Sequence, residues 1–165
     1  MRNLVVFTLF VLIHNLSFCQ EIVEPELTDV FYFWNKEGSE LIKMSEEDFK
    51  TIPAPATIVY KFSGPKSINQ ITSSKVSFII NAINPVLVES IAIYKLQENK
   101  KSRKVNLFLV TPEKNRDKLI LYGSKVLKNN VVELELISDL EPGEYGCIYY
   151  LSDRKQHSFT FSIKN

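Results

Sequence analysis

The chain has 165 residues, 45% hydrophobic and 24% charged, with 20 Lys and Arg against 19 Asp and Glu. That length allows one domain and hardly two, and seven Pro and five Gly are too few for a low-complexity or collagen-like chain. A net charge of +1 excludes the strongly basic domain of a dedicated nucleic-acid binder.

The N-terminus is built differently from the rest. Arg2 precedes an apolar run from Leu4 to Ile13 broken only by Thr8, and Ser17 and Cys19 are small residues two apart before Gln20. This pattern predicts a signal peptide over residues 1–19 and an exported protein, whether periplasmic, envelope-associated or secreted. The run is shorter than the roughly 20 apolar residues a bilayer requires, and no later run reaches that length, so no transmembrane span is expected. Leu16-Ser17-Phe18-Cys19 also resembles a bacterial lipobox, which would place a lipid anchor on Cys19. Phe18 departs from that pattern, in which a small residue precedes the cysteine. Beyond residue 19 one cysteine remains, Cys147, which has no internal disulfide partner, so packing must hold the fold.

Residues 20–28 form an acidic leader, and residues 29–165 are expected to form a single domain. Residues 20–50 carry nine acids and three bases, whereas residues 100–128 carry nine bases and two acids. The asymmetry fits an anionic partner at the basic region, an acidic leader lying against the basic part of its own chain, or two stretches that are both solvated.

From residue 29 the dominant period is two. Val30, Tyr32 and Trp34 alternate with Phe31 and Phe33, and a turn at 35–39 returns the chain through Leu41 to Met44, a hairpin over 29–44. Ser45 to Lys50 has the look of one helical turn capped by Ser45, ended by Pro53 and Pro55. Ile58, Tyr60 and Phe62 alternate with Thr57, Val59 and Lys61, and Val76, Phe78 and Ile80 follow. Runs apolar on both sides, Ser90–Leu96, Val105–Val110 and Leu119–Tyr122, suit central strands. Val132, Leu134 and Leu136 oppose Glu133 and Glu135, and Phe159, Phe161 and Ile163 alternate with Ser158, Thr160 and Ser162. Turn residues at Gly64-Pro65, Asn84-Pro85, Thr111-Pro112, Asn129-Asn130, Pro142-Gly143 and Ser152-Asp153 separate these segments. Nine or ten short strands at this spacing predict an all-β antiparallel sandwich.

Leu140-Glu141-Pro142-Gly143-Glu144-Tyr145-Gly146-Cys147 looks like the tyrosine corner of immunoglobulin-like sandwiches, with Leu140, Pro142, Gly143 and Tyr145 as the structural corner. The resemblance implies strands A to G at residues 56–62, 75–81, 89–96, 104–110 (C′), 117–122 (D), 131–137 (E), 144–151 (F) and 157–163 (G). The hairpin 29–44 is then an extra N-terminal element. The inter-sheet disulfide and the strand C tryptophan of that family are absent. The chain from 57 to 163 is similar to a group of uncharacterised exported bacterial β-sandwich proteins, through Tyr60-Lys61-Phe62, Gly64-Pro65-Lys66-Ser67, Tyr94-Lys95-Leu96, the Leu-x-Pro-Gly-Glu-Tyr corner and Phe159-Thr160-Phe161. The likeness implies a fold and an envelope or secreted location, and no activity.

Chemistry-bearing residues are sparse. Beyond residue 19 the chain has one histidine, His157, at the start of the last strand and without a Gly-x-Ser-x-Gly elbow elsewhere. Cys147 is expected to be buried between Tyr145 and Tyr149, where a thiol behaves as a small apolar group. One Cys and one His do not supply a zinc site, no Asp-x-Asp-x-Asp calcium loop is present, and no glycine loop suits a phosphate. Glu46-Glu47-Asp48 reads as a solvated helix start. No catalytic residue, metal ligand or cofactor is therefore expected.

Two candidate partner-binding surfaces remain. Lys100, Lys101, Arg103 and Lys104 form a basic hairpin loop. Phe31, Tyr32, Phe33 and Trp34 place two aromatics on each face of a strand, one pair of which would be an exposed patch if uncovered. The leading expectation is a non-enzymatic binding or assembly module of the cell envelope that meets a protein or glycan. The alternatives are a carbohydrate-binding module and a hydrolase using two carboxylates.

Overall fold

The computed structural model describes residues 24–37, 39–84, 90–150 and 155–164. The predicted signal peptide and Cys19 lie outside them. The chain is all-β, a sandwich of antiparallel sheets to which a third sheet is added. None of its described helices is long and apolar enough to cross a membrane.

Sheet A has the order β11-β12-β6-β1-β2, formed by Tyr122–Lys128, Val131–Leu136, Ser77–Asn81, Phe31–Asn35 and Glu40–Lys43. Sheet B has the order β10-β7-β13-β14-β5, formed by Leu119–Ile120, Ala92–Lys95, Gly143–Tyr150, Gln156–Ile163 and Asn69–Ile71. Its pairs are antiparallel except β14 with β5. Sheet C has the order β3-β4-β9-β8, formed by Phe49–Ala54, Thr57–Ser63, Ser102–Phe108 and Gln97–Glu98.

Sheets A and B enclose the main core. Phe31, Phe33, Phe78, Ile80, Val132 and Leu134 meet Ile93, Tyr145, Cys147, Tyr149, Phe159 and Phe161 across the gap. Phe78 packs edge-on against Phe159 and Phe161, with centroids 5.3 Å apart in each pair, the arrangement ring quadrupoles favour. Burial of each such ring is worth about 1.5–3 kcal/mol, and with no disulfide among the described residues this apolar gain is the main source of stability.

The other face of sheet B is covered as well. Phe62, Val105 and Leu107 of sheet C join Leu96 and Ile148 in a second apolar cluster, with Tyr60 and Tyr94 packed against it. Gly146 permits the close approach: a Cβ there would stand 3.2 Å from Phe62 and 3.3 Å from Leu96. The order of layers is therefore A, B, C, with B inside.

Several sequence expectations change. The hairpin 29–44 forms as β1 and β2, and β1 also pairs with β6, so it is built into sheet A of the sandwich. The strands read as A and C′ pair with each other in sheet C instead. Leu119–Tyr122 is not central: β10 forms the edge of sheet B, and Leu121 is exposed. Residues 45–48 form no helical turn. Their backbone is taken up by neighbours, Ser45 N–H donating to Asn69 Oδ1 at 2.9 Å and Glu47 N–H to the Ser158 carbonyl at 2.9 Å. Long-range partners thus outcompete the local cap. Pro53 sits in β3, an edge strand, where a missing donor is tolerated.

Two measurements check this layering. Gly146→Val, placed against side chains held between two sheets, is expected to lose about 1–3 kcal/mol in urea unfolding; unchanged stability would refute the close packing. Burial also pushes the Tyr94 phenol up to about 12 and raises Tyr145 and Tyr149. The folded chain then keeps protons that the unfolded chain releases near pH 10. Stability should fall as pH rises from about 10 to about 12, with tyrosinate absorbance rising together with loss of near-ultraviolet dichroism. Ionisation of every tyrosine near pH 10 in an intact fold would contradict it.

Candidate functional site

A groove of about 600 Å³ lies on the outer face of sheet A. Strand register builds it. Phe33 and Phe78 point inward, so Trp34, Ser77, Glu133 and Glu135 point out, and Gly123 stands opposite Glu135 on edge strand β11. Gly123 has nothing within 4 Å of where a Cβ would stand, which leaves the trench open beside the carboxylates. Lys36 reaches Glu133 at 3.0 Å and Glu135 at 2.9 Å, and the Ser77 hydroxyl donates to Glu133 at 2.7 Å. Burial pulls the Lys36 pKa down, but the hydrogen bonds to Glu135 and Glu133 outweigh it and hold the ammonium above its ordinary value. Lys125 pairs in register with Glu133 and lines the same groove. The groove therefore offers cationic and anionic groups and hydroxyls on a rigid sheet, an arrangement suited to orienting a polar ligand.

Of the four consecutive aromatics none forms an exposed patch. Phe31 and Phe33 belong to the main core, and Trp34 packs on Ile79 and Val131 with Leu41 and Leu127 alongside, leaving it 6% exposed. Tyr32 is buried too. Both faces of β1 are covered because its neighbours on both sides supply apolar residues to the outer face as well.

The basic loop is divided. Lys100 and Lys101 are exposed and Lys104 is half-buried, whereas Arg103 is 1% exposed and faces sheet B. Its guanidinium donates to the carbonyls of Gly64 at 3.2 Å and Ser63 at 2.7 Å, to the Thr160 hydroxyl at 2.6 Å, and to Glu47 in an ion pair. Gly64, at φ +75°, is the turn residue that aims its carbonyl there. Glu144 stands 3.6 Å from the guanidinium with its side chain fully buried. Its carboxylate accepts from the Ser67 N–H at 2.8 Å and the Ser162 hydroxyl at 2.5 Å. Arg103 is therefore a structural bolt between sheets B and C, not a surface contact.

The network was hidden in the sequence by an ordinary signal. Ser158, Thr160 and Ser162 read as a wet face, yet they are buried under sheet C. Small hydroxyls with no long charged side chain among them are what a covered polar face requires, and that is the signal that could have found it.

At the corner, the Tyr145 hydroxyl donates to the Glu141 carbonyl at 2.7 Å, Leu140 is buried, and Gly143 takes φ +152° after Pro142, a conformation open to glycine. His157 stacks on Tyr149 and lies 3.4 Å from Glu46, and burial raises the Cys147 thiol well above its ordinary pKa, which suppresses the nucleophilic thiolate. Glu46 and Glu47 turn to different partners, and no three metal-ligating side chains cluster among the described residues.

No protein-family model matches the chain, and no curated protein or solved structure matches it either.

Removal of Arg103 would leave the half-buried Glu47 without its cation and the fully buried Glu144 with Lys66 alone, at 3.6 Å. Arg103→Ala is expected to destabilise by about 3–5 kcal/mol in urea unfolding, with Arg103→Lys recovering little, since an ammonium lacks the fork that spans these acceptors. A loss under about 1 kcal/mol, the level of an exposed ion pair, would show that the network is solvated.

Proposed function

We propose that this chain is an exported, non-enzymatic binding or assembly module of the bacterial cell envelope, and that its partner occupies the groove on the outer face of sheet A. One observation carries the reading. The groove gathers Lys36, Ser77, Glu133, Glu135 and Lys125 on one sheet face beside Gly123, while Arg103 and Cys147 are taken up in packing. Glu133 and Glu135 share the Lys36 ammonium, which suits them to recognition of donors more than to separate acid and base roles. The first occupant we favour is an extended protein segment. The groove borders β11, an edge strand with unpaired backbone groups along which such a segment can align.

A second reading, a carbohydrate-binding module, is favoured by Trp34 being among the residues that line the groove with hydroxyl and carboxylate groups. Trp34→Ala is a poor probe of it. Loss of that buried ring would cost about 3–5 kcal/mol of stability by itself.

Gly123→Phe is the cleaner test, because the added ring enters open space and fills the trench. We expect the tagged wild-type chain, crosslinked in cell envelopes, to retain a small reproducible set of proteins that the Gly123→Phe chain loses at unchanged melting temperature. Retention of the same set by both chains would remove the groove from the proposal. An empty set, with saturable glycan binding abolished by Gly123→Phe, would select the carbohydrate reading. Substrate turnover abolished by Glu135→Gln would overturn both in favour of a hydrolase.

A further inference from the structure

The outer face of sheet C carries a row of lysines that the strand register assembles from distant parts of the chain. Lys50 of β3 pairs with Lys61 of β4, and Lys61 pairs with Lys104 of β9. Their inward neighbours Phe49, Phe62 and Arg103 face sheet B, so all three ammonium groups point to the opposite side. Like charges directly across a ladder destabilise it. Among the described residues none of the three has a carboxylate within ion-pair distance. Protection of a sheet edge accounts for Lys50, which is on an edge strand, but not for Lys61 and Lys104, which are on the two inner strands. The acidic leader gives them no relief where it is described. Thr28 and Asp29 pair with Asn81 in sheet A, the far outer layer.

At one end of sheet C, about 13 Å from the lysine row at strand rise, the sheet finishes in an exposed apolar tip. Leu109 is 60% and Val110 76% exposed, and Ile52 and the Ala54-Pro55-Ala56 turn are exposed beside them. The tip is held in shape. Leu109 N–H donates to the Ala56 carbonyl at 3.0 Å. Asn115 brackets Phe108, accepting from its N–H at 2.9 Å and donating to its carbonyl at 3.0 Å. That clamp sets Lys118 and Lys114 over the Phe108 ring, at 4.6 and 5.7 Å from its centroid, with Arg116 exposed nearby. Glu113 and Asp117 are the acids of this segment.

From these observations we infer that sheet C is a docking face for an anionic lipid bilayer, with the lysine row on the headgroups and Leu109 and Val110 in the interface. Charge complementarity selects an anionic occupant. The rigid apolar tip selects a bilayer over a soluble polyanion, which has no apolar layer to receive it. This inference does not depend on what fills the groove of sheet A.

The test is flotation of the purified chain with vesicles of phosphatidylcholine alone and of phosphatidylcholine mixed with phosphatidylglycerol, and a parallel titration with heparin as a soluble polyanion. Two variants are compared with wild type: Lys61→Gln with Lys104→Gln, and Leu109→Ser with Val110→Ser. Both change exposed or mutually repelling groups, so both should fold. Expected is salt-sensitive binding to the phosphatidylglycerol vesicles only, weakened about fivefold for each lysine removed, and on the order of tenfold by the apolar pair. Failure to float with phosphatidylglycerol vesicles would overturn the inference. So would heparin binding as tight as vesicle binding with no effect of the serine pair, which would assign the face to an anionic polysaccharide.

Discussion

The arrangement depends on one buried cation. Arg103 projects from an inner strand of sheet C onto the outer face of sheet B, where water is excluded, and it must find there acceptors enough to replace hydration. They come from separate parts of the chain: the carbonyls of the turn after β4, Glu47 ahead of β3, and Thr160 in the centre of β14. The Ser63 and Gly64 carbonyls move with Arg103 on sheet C, but Thr160 and Glu47, whose backbone pairs with Ser158, are well placed only when sheet C sits in one position over sheet B. An apolar contact alone tolerates sliding, and the cluster of Phe62, Leu96 and Ile148 is small. The guanidinium fork, with its fixed directions, supplies the missing register. Its requirement also accounts for residues 45–48 being drawn into an extended path, because Glu47 reaches the guanidinium while its backbone pairs with Ser158.

With sheet B covered on both faces, its strands obey two different rules at once. On the side toward sheet A the residues of β13 and β14 are large, Tyr145, Tyr149, Phe159 and Phe161, and fill a space closed by the phenylalanines of β1 and β6. On the side toward sheet C, apart from Ile148 in the second apolar cluster, they are small or polar: Gly146, Ser158, Thr160 and Ser162. Small side chains let the third layer come close, and hydroxyls give the buried charges partners that themselves carry no charge. Glu144 and Arg103 are 3.6 Å apart and share this shell instead of bonding each other head-on, so the burial of Glu144 is offset mainly by neutral dipoles and that of Arg103 by the Glu47 carboxylate together with them.

The sequence showed the strands well and the layers poorly, for a physical reason. Period-two alternation depends on each strand having two unlike faces, and Ile58–Phe62, Val132–Leu136 and Phe159–Ile163 have them. Alternation says nothing of what lies over the polar face. The hydroxyls of β14 pattern like a solvated edge but are covered, and the aromatics of β1 pattern like an open patch but are covered as well. Assignment of β4 and β9 to the main sandwich failed for the same reason, since an apolar face fits the back of sheet B as readily as its front. The groove was not legible at all. Lys36, Glu135 and Gly123 are far apart in the chain, and only the pairing of β11, β12, β6 and β1 brings them to one trench. Lys50, Lys61 and Lys104 are a similar case. The first lies in the acid-rich third of the chain, so the charge count there gave no sign of a basic row.

Layer order also relates the two outer faces. Sheets A and C are separated by sheet B, so the groove and the lysine row look in opposite directions. A domain that rests on sheet C keeps the groove of sheet A turned away from the surface it rests on, open to whatever approaches from solution. The reverse placement would bury the groove and leave the repelling lysines without counter-charge. The two proposed roles are thus sterically compatible in a single molecule, and the constraint that makes them so is the same one that fixes sheet C: the buried Arg103 and its acceptors hold the third sheet where its lysines can face outward and nowhere else.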